Sequence, residues 1–296
     1  MNLKFTGLSK EYGGRSIFNS LEGQIDGNDR VGLVGTNGIG KTTLANILAG
    51  REQEDAGKII YSPPHINILY LQQYPKFDEV GTVYEYILGF TLEEYGRSGL
   101  RSLGEAGAAA GTALNRAGLG EEKWGQSAAS LSGGEKTKLL LSRVFIGKFD
   151  FLIMDEPTNH LDMEGCEWLE DLIKGLDKPM LIISHDRFFL DNAVSRIWEL
   201  NPDGLKNYEG NYSNYRNQKE IETKNVIKEY EKQQTRIREL KSMINDRENW
   251  YHKAHKAAGQ NDFLRAKAKK HASSMKAKRT QLERLENNKI EKPRQE

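Results

Sequence analysis

The sequence predicts an α/β domain with a largely parallel sheet, followed by an antiparallel α-helical hairpin. Three observations carry this. The stretch Gly35-Thr36-Asn37-Gly38-Ile39-Gly40-Lys41-Thr42-Thr43 reads G-x-x-x-x-G-K-[ST] between an apolar run and a helical pattern. Short apolar runs alternate with helical stretches downstream of it. Beyond Tyr212 glycine nearly vanishes, and apolar residues recur at seven-residue spacing.

In chain order, residues 2–8 and 17–25 read as strands around the turn Tyr12-Gly13-Gly14-Arg15. Residues 31–34 form a buried strand, and 41–48 a helix. Two further strands fall at 59–61 and 66–71, separated by Pro63-Pro64. A helix starts at 82–89. Residues 96–120 are rich in Gly and Ala, with weak helical periodicity over 106–117, and are expected to be mobile or a linker. A helix runs from Ser132 to about Gly147. Residues 151–154 form a short apolar strand ending in Asp155-Glu156. Helix 163–172, strand 180–184 and helix 187–192 follow. Residues 1–212 read as one domain, with a helical subdomain over about 80–147, and residues 213–296 as the hairpin. Tyr230, Ile237, Ile244 and Tyr251, with Gln233, Leu240 and Arg247 between them, form one stripe. Leu264, Ala268, His271, Met275, Lys278, Leu282 and Leu285 form the second. The pattern is that of a coiled coil, broken at Ala257-Ala258-Gly259-Gln260, with the tip near 252–265. Two arms of about 30–40 residues would project roughly 45–60 Å.

The chain has 296 residues, 37% hydrophobic and 29% charged, with a mean hydropathy of −0.68. The longest apolar runs, such as 151–154 and 180–183, are far below the ~18 residues of a membrane helix. The N-terminus lacks the apolar segment of a signal peptide. A single cysteine, Cys166, excludes an intramolecular disulfide and a cysteine-cluster metal site. The default expectation is a cytoplasmic protein with no membrane partner. The net charge of +1 conceals a split: residues 1–212 carry −9, and residues 213–296 carry +10. An acidic body with a basic C-terminal third points to a polyanionic partner for the latter.

The chemistry starts at the P-loop. Its glycines let the backbone approach an anion, and the amides of Gly38, Gly40, Lys41 and Thr42 would point at phosphate oxygens, helped by the helix dipole. Lys41 would reach the β- and γ-phosphates, and the Thr42 hydroxyl would bind Mg²⁺. Asp155 and Glu156 end a hydrophobic strand, where P-loop enzymes keep a carboxylate for the Mg²⁺ shell and another to polarise water. Ser184-His185-Asp186 ends the next strand, where a His could touch the γ-phosphate.

These motifs, in this order, resemble the nucleotide-binding domains of ABC proteins: GTNGIGKTT at 35–43, Gln73 in YLQQ, LSGGEK at 131–136, FLIMDE at 151–156, PTNHLD at 157–162 and SHDR at 184–187. The wording PTNHLD and SHDRFFLD, with a basic helical hairpin behind it, looks like the ABC-F subfamily. The resemblance covers essentially the whole chain. It implies soluble ATPases that lack a membrane domain and act on ribosomes, some of them conferring antibiotic resistance by ribosome protection. It implies ATP and Mg²⁺ as cofactors. Tyr12 would stack on adenine. Asn37, Gly38, Ile39, Gly40, Lys41, Thr42, Thr43 and Gln73 would bind ATP, with Thr42, Gln73 and Asp155 holding Mg²⁺. Glu156 would be the catalytic carboxylate and His185 the switch histidine. Ser132, Gly133, Gly134 and Glu135 would act on the nucleotide of another ATPase domain.

Family members usually carry two ATPase domains joined by the hairpin. This chain has one P-loop and one signature and stops at residues 292–296, where a second domain would begin. It looks like an N-terminal half, needing a second ABC domain or a head-to-tail homodimer for turnover. The stretch between Gln73 and the signature leaves no room for the additional arm of some members. Residues 252–282 hold nine Lys and Arg, one acid (Asp262) and three His. Such a tip favours RNA with steep salt dependence, and Trp250, Tyr251 and Phe263 could stack on bases. Lys253, Lys256, Arg265, Lys267, Lys269 and Lys270 are the candidate contacts to rRNA or tRNA. Two other readings compete: the ATPase subunit of a membrane transporter, which leaves the basic hairpin unexplained, and a nucleotide-gated structural coiled-coil ATPase, whose coils are usually far longer.

Overall fold

The computed structural model describes residues 1–73, 77, 81–98, 103–257 and 262–290, with side chains left out at 95, 97, 98, 254–257 and 262–274. The chain divides into two units, Met1–Arg216 and Asn217–Glu296.

The first unit opens with a hairpin of β1 (Asn2–Tyr12) and β2 (Arg15–Asp26), turned at Gly13 and Gly14, both at positive φ. β3 (Arg30–Val34) leads into the P-loop and α1 (Lys41–Leu48). β4 (Ala56–Ser62) pairs back onto β1, giving a three-stranded antiparallel sheet in the order β2-β1-β4. β5 (Ile68–Leu71) precedes the helices α2 (Val83–Ser98), α3 (Leu103–Arg116) and α4 (Glu121–Trp124). α5 (Gly133–Leu141) ends in a 3₁₀ turn at Ser142–Phe145, so the helix expected to reach Gly147 stops earlier. Then come β6 (Phe151–Asp155), α6 (Met163–Lys174), β7 (Met180–Ile183), α7 (Arg187–Ala193), β8 (Arg196–Asn201) and β9 (Gly204–Glu209). The second sheet has six strands in the order β5-β6-β7-β3-β8-β9. Its first five strands are parallel, and β9 closes the edge antiparallel to β8.

Parallel strands covered on both faces are apolar throughout rather than alternating. β6 and β7 obey this, with every residue buried. On one face of the large sheet, α1 buries Leu44, Ala45, Ile47 and Leu48 against the small sheet; Phe5 meets Trp198 edge-to-face at 5.6 Å. The other face carries Leu169 and Ile173 of α6 and Phe189 and Leu190 of α7.

A separate core joins α2, α3 and α5 through Val83, Ile87, Ala110, Ala113, Leu114 and Leu139. The expectation of a mobile stretch over residues 96–120 is thus corrected for its described part. α3 is an ordered helix, and its small residues are the means of close packing: Trp124 lies so near Gly111 that a Cβ there would come within 2.7 Å of the indole. The hairpin of β8 and β9 has no counterpart among the strands expected from the sequence.

α8 (Tyr212–Ala257) begins on the first unit. The Asp191 carboxylate of α7 accepts from the Ser213 N–H and hydroxyl at 2.6 and 2.7 Å, and Tyr215 donates to Glu199 at 2.9 Å. In the second unit α8 pairs antiparallel with α9 (Asp262–Asn287). Gln233 bonds to Asn288 and Ile290, Lys241 to Glu286, and Arg279 to Glu248. Ile237, Leu240 and Ile244 are buried between them. The arms are unequal, 46 and 26 residues, where two of similar length were expected. The turn at 258–260, and most of the tip, lie outside the described residues. No helix among the described residues is long and apolar enough to cross a membrane.

Ala110 is fully buried in the helical core. Ala110→Leu is expected to overpack it and cost about 1–3 kcal/mol, read as a lowered midpoint in chemical denaturation. A mobile linker would tolerate the change.

Candidate nucleotide-binding site

The C-terminal ends of β3, β6 and β7 converge on one edge of the sheet, where open α/β sheets bind their ligands. A cleft of about 500 Å³ lies there, lined by Asn37, Gly38, Gly40, Lys41, Thr42, Thr43, Gln73, Asp155, Glu156, Asn159 and His185 among others. Gly38 and Gly40 turn the loop at φ 76° and 110°. At Gly40 a Cβ would come within 2.6 Å of Ile17 Cγ2, so only glycine fits the entry to α1. The Lys41 ammonium curls back onto its own loop, donating to Gly35 O at 2.8 Å and Thr36 O at 3.3 Å.

Thr42 and Asp155 are 113 residues apart in sequence, yet Thr42 Oγ1 donates to Asp155 Oδ2 at 2.8 Å. The Glu156 N–H extends the sheet ladder to Ile183 O at 2.8 Å while the residue itself adopts φ 52°. A non-glycine residue held in the left-handed region is a cost that clusters at functional sites. Glu156 accepts from the His185 N–H at 3.3 Å, and its other oxygen lies 3.3 Å from His185 Nε2. Desolvation pushes the carboxyls of Asp155 and Glu156 above their ordinary range and pulls Lys41 below its own. One buried cation and two buried carboxylates therefore share a small volume. Thr42, Gln73 and Asp155 offer hard oxygen donors, the set that suits Mg²⁺. The glycine-rich amides and Lys41 suit the phosphates that accompany it.

The other site residues named from sequence fall in different places. Ile39 is not part of the cleft lining; its N–H goes to Thr36 O and its side chain packs on the core. Tyr12 is 47% exposed at the end of β1. Its hydroxyl bonds to Glu52 and meets the Thr43 side chain, and Lys10 lies 5.4 Å from the ring centroid. Ser132, Gly133, Gly134 and Glu135 line a second cleft of about 460 Å³ with Lys138, His160, Leu161 and Asp162. Ser132 caps α5 in a reciprocal box: the Glu135 N–H donates to Ser132 Oγ at 3.3 Å, and the Ser132 N–H to Glu135 Oε2 at 2.9 Å. Lys123 meets Glu135 Oε1 at 2.7 Å. Gly133 and Gly134 must lack side chains because His160, at φ 66°, crosses them; a Cβ on either would come within 2.8 Å of it. Asn159, His160 and Tyr70 carried no assigned role in the sequence. Asn159 and His160 lay within PTNHLD, but Tyr70, whose hydroxyl donates to Asp155, gave no signal beyond its place before Gln73. Lys253 is exposed on α8, and Trp250 is 38% exposed. The side chains of Lys256, Arg265, Lys267, Lys269 and Lys270 lie outside the described residues.

A P-loop, a strand-end carboxylate pair, a histidine at the next strand's end and a signature capping a separate helix define the class: an ABC-type ATPase domain. Two family models, both described as ABC transporter, match residues 18–159 and 198–296. ABC transporter F family member 5 of Arabidopsis thaliana is 31% identical over 278 residues, covering 82% of this chain and 40% of that protein. Ribosome protection protein VmlR of Bacillus subtilis is 29% identical over 286 residues, covering 94% of this chain and 46% of that protein. A dimeric bacterial ABC transporter cassette superposes with a TM-score of 0.63 at 21% identity, over 70% of this chain and 98% of that one. The chain belongs to the ABC ATPases and, within them, to the ABC-F group. It spans less than half the length of these two curated relatives.

Two expectations follow. Lys41→Ala removes the cation nearest the loop amides and should abolish ATP binding measured by calorimetry; unchanged affinity would refute the phosphate site. Glu135 is held down to about 2 by Lys123 and Ser132, against an ordinary 4.5. A depressed carboxylate stabilises the fold above its unfolded value, and the gain is lost as pH falls through the folded one. The stability gap between the unsubstituted protein and Glu135→Gln should therefore be full above about pH 5 and close towards pH 2. Denaturant midpoints across that range would show it.

Proposed function

We propose that this chain binds and hydrolyses Mg²⁺-ATP and acts on the ribosome, as a translation factor or in antibiotic resistance by ribosome protection, with the basic hairpin as its RNA-contacting part. In the cleft Lys41 and the loop amides neutralise the phosphates, and Thr42, Gln73 and Asp155 hold the cation. Bound Mg²⁺ supplies charge neutralisation on the phosphate oxygens. Glu156 orients and deprotonates the attacking water, and His185, held against it, faces the γ-phosphate. Tyr12 stacks on the adenine. Ser132, Gly133, Gly134 and Glu135 close over the nucleotide of a second ABC domain, or of a second copy arranged head to tail. The place of work is the cytoplasm.

The observation that carries the ribosome reading is the joint occurrence of the ABC-F pattern and the basic hairpin tip, where nine Lys and Arg face a single acid over residues 252–282. An acidic ATPase body is repelled by RNA, so binding must come from the other unit. The likeness to a protein named for ribosome protection supports this. A membrane-transporter role gives the tip no work to do.

Replacing Lys267, Lys269 and Lys270 with Ala should weaken co-sedimentation with ribosomes and flatten its salt dependence by up to about three units of slope. ATP affinity should be unchanged. Equal binding by the triple variant across the salt titration would leave the hairpin a spacer.

A further inference from the structure

Tyr70 is a buried ionisable residue that the nucleotide chemistry above does not use. It stands on β5, three residues before Gln73, and is 3% exposed. In the parallel register it lies opposite Ile153 of β6. Two-residue alternation puts Asp155 on the same face as Ile153. The phenol thus reaches along that face to the end of β6, where its hydroxyl donates to Asp155 Oδ2 at 3.4 Å. Thr42 Oγ1 donates to the same oxygen at 2.8 Å. The Arg51 guanidinium lies over the Tyr70 ring, 4.6 Å from its centroid. Arg51 follows α1, with its N–H bonded to Asn46 O at 2.9 Å. The ring is therefore clamped between the end of the P-loop helix and the carboxylate.

We propose that Tyr70 is a positioning residue for the cation site: with Thr42 it fixes the plane of the Asp155 carboxylate by occupying Oδ2, so that Oδ1 is presented to the Mg²⁺ shell. A carboxylate with one donor can rotate about its terminal torsion, which is broad. Two donors on one oxygen, one from the start of α1 and one from β5, hold it. Tyr70 also adds a side-chain link to the backbone ladder that pairs β5, the strand leading to Gln73, with β6, the strand that ends in Asp155. This rests on the nucleotide reading above.

The test is Tyr70→Phe, which keeps the ring, its packing and the Arg51 stack and removes only the hydroxyl. ATP affinity is measured by calorimetry in EDTA and then across a Mg²⁺ titration. Affinity in EDTA should match that of the unsubstituted protein. The Mg²⁺ concentration that half-completes the tightening should rise about three- to tenfold, the worth of one long hydrogen bond to a charged acceptor. In an Asp155→Asn background the same change should have no further effect on the Mg²⁺ response. A Mg²⁺ titration of Tyr70→Phe that overlays the unsubstituted protein would overturn the proposal, as would an equal shift in both backgrounds. A failure of the unsubstituted protein to bind ATP at all would instead bring down the nucleotide reading, and this inference with it.

Discussion

The hydrogen bond from Thr42 Oγ1 to Asp155 Oδ2 is the interaction around which the candidate site is arranged. It closes the P-loop against the end of a strand two places away in the sheet. β7 lies between β3 and β6, and its own end carries Ser184 and His185. Three neighbouring parallel strands finishing at one edge bring phosphate amides, carboxylates and an imidazole together without long side chains having to search for one another. Pre-organisation of this kind is worth most where water is excluded. Asp155 and Glu156 resist ionisation and Lys41 resists protonation, in each case because burial penalises the charged form. A cleft holding these three groups is suited to a charged ligand.

The same edge is joined to the start of the hairpin by a short helix. Asp186 caps α7 by accepting from the Phe189 N–H at 3.1 Å, directly after His185. Asp191 near the other end of α7 grips the N–H and hydroxyl of Ser213 at the start of α8. Five residues, 186–190, thus separate His185, beside the Glu156 carboxylate, from Asp191, which bonds Ser213 near the start of α8. The buried Tyr208 and Tyr215 and the half-buried Tyr212 cluster around this junction, with Glu199 accepting from both Tyr208 and Tyr215.

Much of the α/β order was legible because it follows from local signals. The P-loop helix, the buried runs at β6 and β7 and the capped starts of α5, α6 and α7 each announce themselves by glycine, by unbroken apolarity or by a Ser or Asp at the cap. The failures have equally particular causes. Glycine and alanine over 96–120 read as looseness, yet Ala106, Ala110 and Ala113 are buried where α2 packs on α3, and Gly111 lets Trp124 approach. The β8–β9 hairpin has a mixed burial pattern that no strict alternation reveals. The unequal arms escaped notice because heptad spacing fixes which face is apolar, not where a helix begins. At the site, motif residues were readable one by one, but neither the Thr42–Asp155 bond nor the part of Tyr70 in it has any local signature. Both arise from strand register across more than eighty residues of sequence.

The cleft is expected to be completed by the signature of a second ABC domain. Glu156→Gln keeps the shape of the residue and removes the charge that would act as base. Sedimentation of this variant with Mg²⁺ and ATP should show a dimer that falls back to monomer when nucleotide is withdrawn. A variant that binds ATP tightly yet stays monomeric at high concentration, beside an unsubstituted monomer that hydrolyses ATP at a rate independent of protein concentration, would contradict it.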